Sequence, residues 1–202
     1  MNVAILGHGT VGGGVYQLLK DRPDITVKYV LDKAPIAELG AVSVTDFSVI
    51  LEDGEVDTVV EVMGGLEPAF DYITAAMRAG KNIVTANKQL LAARYDELTA
   101  LARETGVGFR SSAAVGGGIP WLPNLQRLKR IGAVNEVCGI MNGTTNYILS
   151  MMHKKGYDYE SVLRDAQSFG YAEADPTADI EGLDVQRKLL LSANIAFETS
   201  LT

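Results

Sequence analysis

"NVAILGHGTVGGGVYQLLKD", residues 2–21, runs from an apolar, β-branched stretch through a glycine cluster into the start of a periodic segment. Gly7, Gly9 and Gly12 stand in the spacing G-x-G-x-x-G between a strand and a helix, the setting that a dinucleotide-binding loop requires. Each glycine has its own physical task. Gly7 permits the tight turn, Gly9 lets backbone approach a pyrophosphate, and Gly12 allows helix and strand to pack closely. The N–H groups at the helix start, including those of Thr10 and Val11, face the anion. A glycine-rich turn without a ligand is the alternative, and the strand-loop-helix order speaks against it.

The same rhythm continues outward. "DITVKYVLD" reads as a second strand, "VDTVVEVMGG" as another and "PAFDYITAAMRAG" as a helix, with Pro68 in its first turn and Gly80 as its stop. "KNIVTA" is a strand, Asn87 a plausible N-cap, and "KQLLAARYDELTALARE" a helix with Leu91, Tyr95, Leu98 and Ala102 on one face. "GVGFR" is a short strand. Alternation of this kind predicts an α/β fold, a Rossmann-type doubly wound parallel sheet with ligands beyond the carboxyl ends of its strands. Asp32 ends the second strand, where an acid accepts hydrogen bonds from a ribose hydroxyl. "DKAP" is also good turn chemistry, and Lys33 could instead serve a 2′-phosphate.

Past about residue 120 the pattern changes. "GAVNEVCGIMNGTTNYIL" looks like a strand running into a helix, followed by helical "YESVLRDAQSFG" and a last helix from about Ile180. A boundary near Trp121 to Leu125 gives a dinucleotide-binding domain over 1–122 and a substrate region over 123–202, expected as α+β and incomplete at its C-terminus.

Composition narrows the class. Against 18 basic residues stand 25 acidic ones, a net charge of −7 with no basic run, which argues against nucleic acid. One cysteine, Cys138, forms no internal disulfide and reads as a small buried hydrophobe. His8 lies in the loop and His153 after a helix, neither with a partner at metal-ligand spacing. No apolar run is long enough to span a bilayer, and "MNVAILGHGT" reaches glycine too soon for a signal peptide, so the cytoplasm is the expected compartment.

"GYAEADPTADIEGLDVQRK", residues 170–188, gathers acids and then a lysine. In a helix from Ile180, the residues Ile180, Asp184, Lys188, Leu191 and Ile195 share one stripe, so Asp184 and Lys188 interrupt an apolar face. A solvated i, i+4 pair normally sits opposite that face; a pair within it points to a site. Asp175 precedes Pro176 in a turn, Glu181 falls near the helix start, and Asp179 is placed as its N-cap.

Ala166, Gly170, Asp175-Pro176, Asp179, Gly182, Asp184 and Lys188 together closely resemble the signature of homoserine dehydrogenase. "EVMGG" at 61–65, "TANK" at 85–88, "AAVGGGIP" at 113–120 and "NGTTNYIL" at 142–149 agree in order, so the resemblance covers the whole chain. It implies an NAD(P)-dependent oxidoreductase of threonine and methionine biosynthesis, interconverting L-aspartate 4-semialdehyde and L-homoserine, with a small amino-acid substrate and a homodimer in full-length form. By the same resemblance Lys188 donates the proton to the carbonyl oxygen, and Lys88 is a second lysine beside nicotinamide and substrate. Glu173, Asp184 and Asp179 bind substrate with Tyr171, Gly143 and Thr144, while Gly64, Asn87 and Lys88 join the glycine loop in holding NAD, or NADP.

Two departures matter. The family commonly carries glutamate where Ser112 stands, and that acid helps bind a monovalent cation with backbone oxygens matching Val115, Gly117 and Ile119; an uncharged ligand weakens such a site. Family members also continue past Thr202, so a truncated form is expected, and a cofactor-binding but catalytically incompetent fragment is the rival. A DNA regulator is disfavoured by the acidic balance. A phosphorylating semialdehyde dehydrogenase would need an activated cysteine, which the neighbourhood of Cys138 does not supply.

Overall fold

Six strands among the described residues, β1 (Asn2–Leu6), β2 (Thr26–Leu31), β3 (Ser43–Val44), β4 (Thr58–Glu61), β5 (Asn82–Thr85) and β6 (Phe109–Arg110), form one sheet. Their order is β3-β2-β1-β4-β5-β6 and every neighbouring pair is parallel. Helices α1 (Thr10–Leu19), α2 (Ser48–Glu52), α3 (Ala69–Arg78) and α4 (Lys88–Thr105) connect them. Strand order reverses between β1 and β4, which opens a crevice at their carboxyl ends. The computed structural model describes residues 1–201, in two compact units, Met1–Trp121 and Leu122–Thr202.

The central strands read as apolar runs because helices cover both faces of the sheet. Val3, Ile5, Val30 and Val60 pack under Val15, Tyr16 and Leu19 of α1. Ile73 and Met77 of α3 and Leu90, Leu91 and Leu98 of α4 are also buried. Asn87 caps α4 as expected, its side chain accepting the Leu90 N–H at 3.0 Å. Pro68 stands at the N-cap of α3 rather than inside its first turn. β3 and α2, which carry no periodic signal long enough to read, fill the stretch between β2 and β4.

The second unit is helical among its described residues. α5 (Trp121–Leu128) begins at the last residue of the first unit, and α6 (Gly143–Lys155), α7 (Tyr159–Ser168), α8 (Thr177–Ile180) and α9 (Leu183–Phe197) follow. Ile148, Val162, Ala166 and Ala172 form a small core between α6 and α7. The strand expected ahead of α6 is not formed. Residues 133–141 carry no ladder, because β-branched residues alone cannot make a strand without a neighbouring one to bond. Cys138 lies on this stretch and is exposed, not buried. His153 falls within the last turn of α6 rather than after the helix.

The last helix also differs. Asp179 sits inside α8 and caps nothing; α9 starts at Leu183 from Gly182, whose φ of 78° is a left-handed conformation that glycine adopts freely. Because the chain turns at Gly182, Ile180 leaves the stripe and stays 41% exposed, while Leu191 and Ile195 are buried as the spacing predicts. No helix among the described residues is long and apolar enough to cross a membrane.

Candidate functional site

In the first unit, Gly7 follows β1 with φ of 97°, and a side chain there would press on the Met63 backbone at 3.1 Å. A side chain at Gly12 would run into the Gly7 carbonyl, whereas the space beside Gly9 is open. The loop therefore packs on itself at two glycines and leaves the third clear for an approaching ligand. Thr10 and Val11 stand exposed at the first turn of α1, whose unbonded N–H groups favour an anion. Asp32, just past β2, accepts the His8 N–H at 2.8 Å with one oxygen and the Lys33 N–H at 2.7 Å with the other. A cavity of about 620 Å³ opens here, lined by Gly7, His8, Gly9, Asp32, Gly64 and Tyr72 among others. These residues fit the phosphate and ribose of a dinucleotide.

Beside it lies a buried polar network that the sequence reading did not single out as one. Glu61, fully buried at the end of β4, accepts the Met63 N–H at 2.9 Å, the Thr85 hydroxyl at 2.6 Å and the Asn87 side-chain amide at 3.3 Å. Asn87 also donates to the Gly65 carbonyl at 2.7 Å. These bonds tie the 63–65 loop to the start of α4, where half-buried Lys88 is the first residue. The Asn87 side chain is thus occupied within the protein.

The second unit gathers charge around Asn142. That residue caps α6 with its oxygen, accepting from Thr145 N at 2.8 Å, and its amide donates to Asp179 at 2.7 Å and Asp184 at 3.0 Å. Asp184 pairs with the Lys188 ammonium at 2.7 Å, one helical turn on, and the same ammonium donates to the Met141 carbonyl at 2.7 Å. An ammonium has three N–H donors, so these two bonds leave one direction for another acceptor. The pair lies within the buried face of α9, as its spacing implies.

Other residues take more separate places. Thr144 donates its hydroxyl to the Tyr171 carbonyl at 2.6 Å, fixing the start of α6 to the loop after α7. Tyr171 is exposed with its ring 5.1 Å from that of Tyr147, and Glu173 is exposed on the same loop. Neither is hydrogen-bonded into the Asn142 cluster. Asn142 itself was missed, although an asparagine before "GTTN" carries an N-cap signal.

Ser112 opens a short 3-10 turn, and Gly116 and Gly117 are left-handed. The Ile119 carbonyl accepts the Trp121 N–H at 2.7 Å. Ser112 offers a neutral hydroxyl where a carboxylate was expected, and the Ile119 carbonyl keeps one lone pair beyond the Trp121 N–H. Among the described residues no group of three His, Cys, Asp or Glu side chains could hold a metal.

A family profile described as the NAD-binding domain of homoserine dehydrogenase matches residues 7–111, and a second, described as homoserine dehydrogenase, matches residues 120–202. The homoserine dehydrogenase of Bacillus subtilis is 40% identical over 215 residues, which cover 100% of this chain and 50% of that one. A crystal structure of a homoserine dehydrogenase from Thiobacillus denitrificans matches with a TM-score of 0.92 at 38% identity, over 100% of this chain and 50% of its own. A hyperthermophilic archaeal homoserine dehydrogenase in complex with NADPH shares the fold, with a TM-score of 0.83 at 23% identity, over 98% of this chain and 70% of that one. The chain spans about half the length of the curated relatives it matches.

Proposed function

The chain belongs to the homoserine dehydrogenase family, and from that premise we propose that it interconverts L-homoserine and L-aspartate 4-semialdehyde with a nicotinamide dinucleotide. The unit Met1–Trp121 holds the dinucleotide and the unit Leu122–Thr202 the amino acid. When bound, the nicotinamide supplies a hydride to the aldehyde carbon in the reducing direction.

The observation that carries this reading is the Asn142–Asp179–Asp184–Lys188 cluster. Lys188, held by Asp184 and the Met141 carbonyl, keeps one N–H for the aldehyde oxygen and gives it a proton as the alcohol forms. Asp184 holds that ammonium in place. Asp179, fixed by the Asn142 amide, and exposed Glu173 supply negative charge for the substrate ammonium. Gly143 and Thr144 at the start of α6, with Tyr171 on the loop that Thr144 holds, complete the proposed substrate contacts. Lys88, the first residue of α4, contributes a second cation on the nicotinamide side.

Asp32 and Glu67, both lining the cavity, disfavour a 2′-phosphate, so the preferred cofactor is NAD over NADP, with Lys33 as the opposing charge. With neutral Ser112 in place of a carboxylate, sodium, potassium and a bulky organic cation are expected to support similar activity. A cytoplasmic enzyme of threonine and methionine biosynthesis, dimeric at full length, completes the proposal. Measuring NAD and NADP binding beside L-homoserine-dependent reduction of each tests it. Turnover with tighter NAD binding is expected. Binding without turnover would overturn the enzymatic role, and tighter NADP would overturn the role given to Asp32.

A further inference from the structure

The cavity beside the glycine loop extends past Asp32 to Thr45, Pro68 and Tyr72. Asp32 follows β2 and Thr45 follows β3, so this part lies on the side of β1 away from β4. Asn87 and Lys88 follow β5, on the other side. Tyr72 belongs to α3, after β4, yet its ring stacks on Phe47, two residues past Thr45, with centroids 4.2 Å apart and planes 13° from parallel. That stack carries Tyr72 across to the β2–β3 side. Phe47 is buried and does not line the cavity, whereas its stacking partner Tyr72 does.

An acid at the end of the second strand of a doubly wound sheet receives the adenosine ribose, and the attached base then lies further out on the same side. We propose that Tyr72, braced by Phe47, is the wall on which the adenine of the dinucleotide stacks. This rests on the cofactor reading above and adds a residue to it. Phe47 covers one face of Tyr72, which also lines the cavity, and Leu31, Val62 and Met63 extend the apolar lining. Because the stack already holds the ring, little rotamer freedom is lost when a base arrives. The contact needs the aromatic face and not the phenol oxygen.

The test is calorimetric titration of ADP-ribose and NAD into the full chain carrying Tyr72→Phe, Tyr72→Leu or no substitution, with melting temperatures alongside. Tyr72→Leu keeps apolar volume against Phe47 and so preserves folding. Tyr72→Phe is expected to bind both ligands like the parent. Tyr72→Leu is expected to weaken both by a similar factor, roughly tenfold or more from the usual size of base–aromatic stacking. Unchanged ADP-ribose affinity in Tyr72→Leu, a loss confined to NAD, or an equal loss in Tyr72→Phe would each overturn the inference alone. Failure of the parent chain to bind either ligand would overturn the cofactor reading and this inference with it.

Discussion

Glu61 in the first unit and Asp184 in the second are both buried carboxylates, and their partners differ in one respect, charge. Glu61 receives a backbone N–H, a hydroxyl and a carboxamide, all of them neutral. Asp184 also receives a carboxamide, that of Asn142, but adds an ammonium whose side chain keeps 19% of its exposure. Neutral donors fix a carboxylate in place and hold two loops to one another, but none of them can give up a proton readily. An ion pair at the edge of burial is less rigid and keeps a transferable proton at hand. Position therefore matters less than partner in separating scaffold from chemistry.

Substitutions can break that contrast, beginning with the scaffold. Gly12→Ala sets a methyl group against the Gly7 carbonyl, and backbone on both sides has no easy escape. Its cost should reach the upper end of the roughly 1–3 kcal/mol that overpacking brings, with nucleotide binding lost in a calorimetric titration. Glu61→Gln sets an NH2 group among partners of which only the Thr85 hydroxyl can turn to accept, so chemical denaturation should show a loss of about 2–3 kcal/mol. Asp184→Asn should cost less, about 1–2 kcal/mol, because Lys188 reaches water; a fully buried pair would lose roughly 3–5 kcal/mol. A larger loss for Asp184→Asn than for Glu61→Gln would reverse the comparison.

A smaller effect is expected from acid. Lys28, then the Glu55 N–H and the Tyr29 hydroxyl, hold the Asp53 carboxyl down at about 2. A folded value below the unfolded one, about 3.9, means that the stabilisation is complete above pH 4 and fades as pH falls toward 2. Melting temperatures of the parent and Asp53→Asn should therefore converge across that window. A constant gap down to pH 2 would show that Asp53 acts through something other than its charge.

Much of the first unit was legible because sheet burial writes itself into sequence. β1, β2, β4 and β5 are apolar runs, and the glycine loop between β1 and α1 has a spacing with a mechanical reason at each glycine. β3 escaped notice because two residues at a sheet edge have no periodicity. In the second unit local signals misled. Val134, Val137 and Ile140 suggest a strand, but pairing is a property of a neighbour that a single segment cannot reveal. Asp179 has the chemistry of an N-cap, yet Gly182 breaks the helix after it, and the acid turns to Asn142 instead. The Asp184–Lys188 pair was readable because one helical turn separates them. Glu61 was not, because its partners come from β5, the 63–65 loop and the start of α4.

Whether the pair in the second unit is chemistry or scaffold is decided most directly by Lys188→Ala, with three quantities measured on one preparation: homoserine turnover, NAD affinity and melting temperature. A general acid whose removal leaves the fold intact should lower the chemical step by roughly 10²–10⁴-fold while NAD affinity and melting temperature stay close to those of the parent. A folded variant that keeps near-normal turnover would remove Lys188 from the mechanism, and one that unfolds would make the pair a scaffold like Glu61.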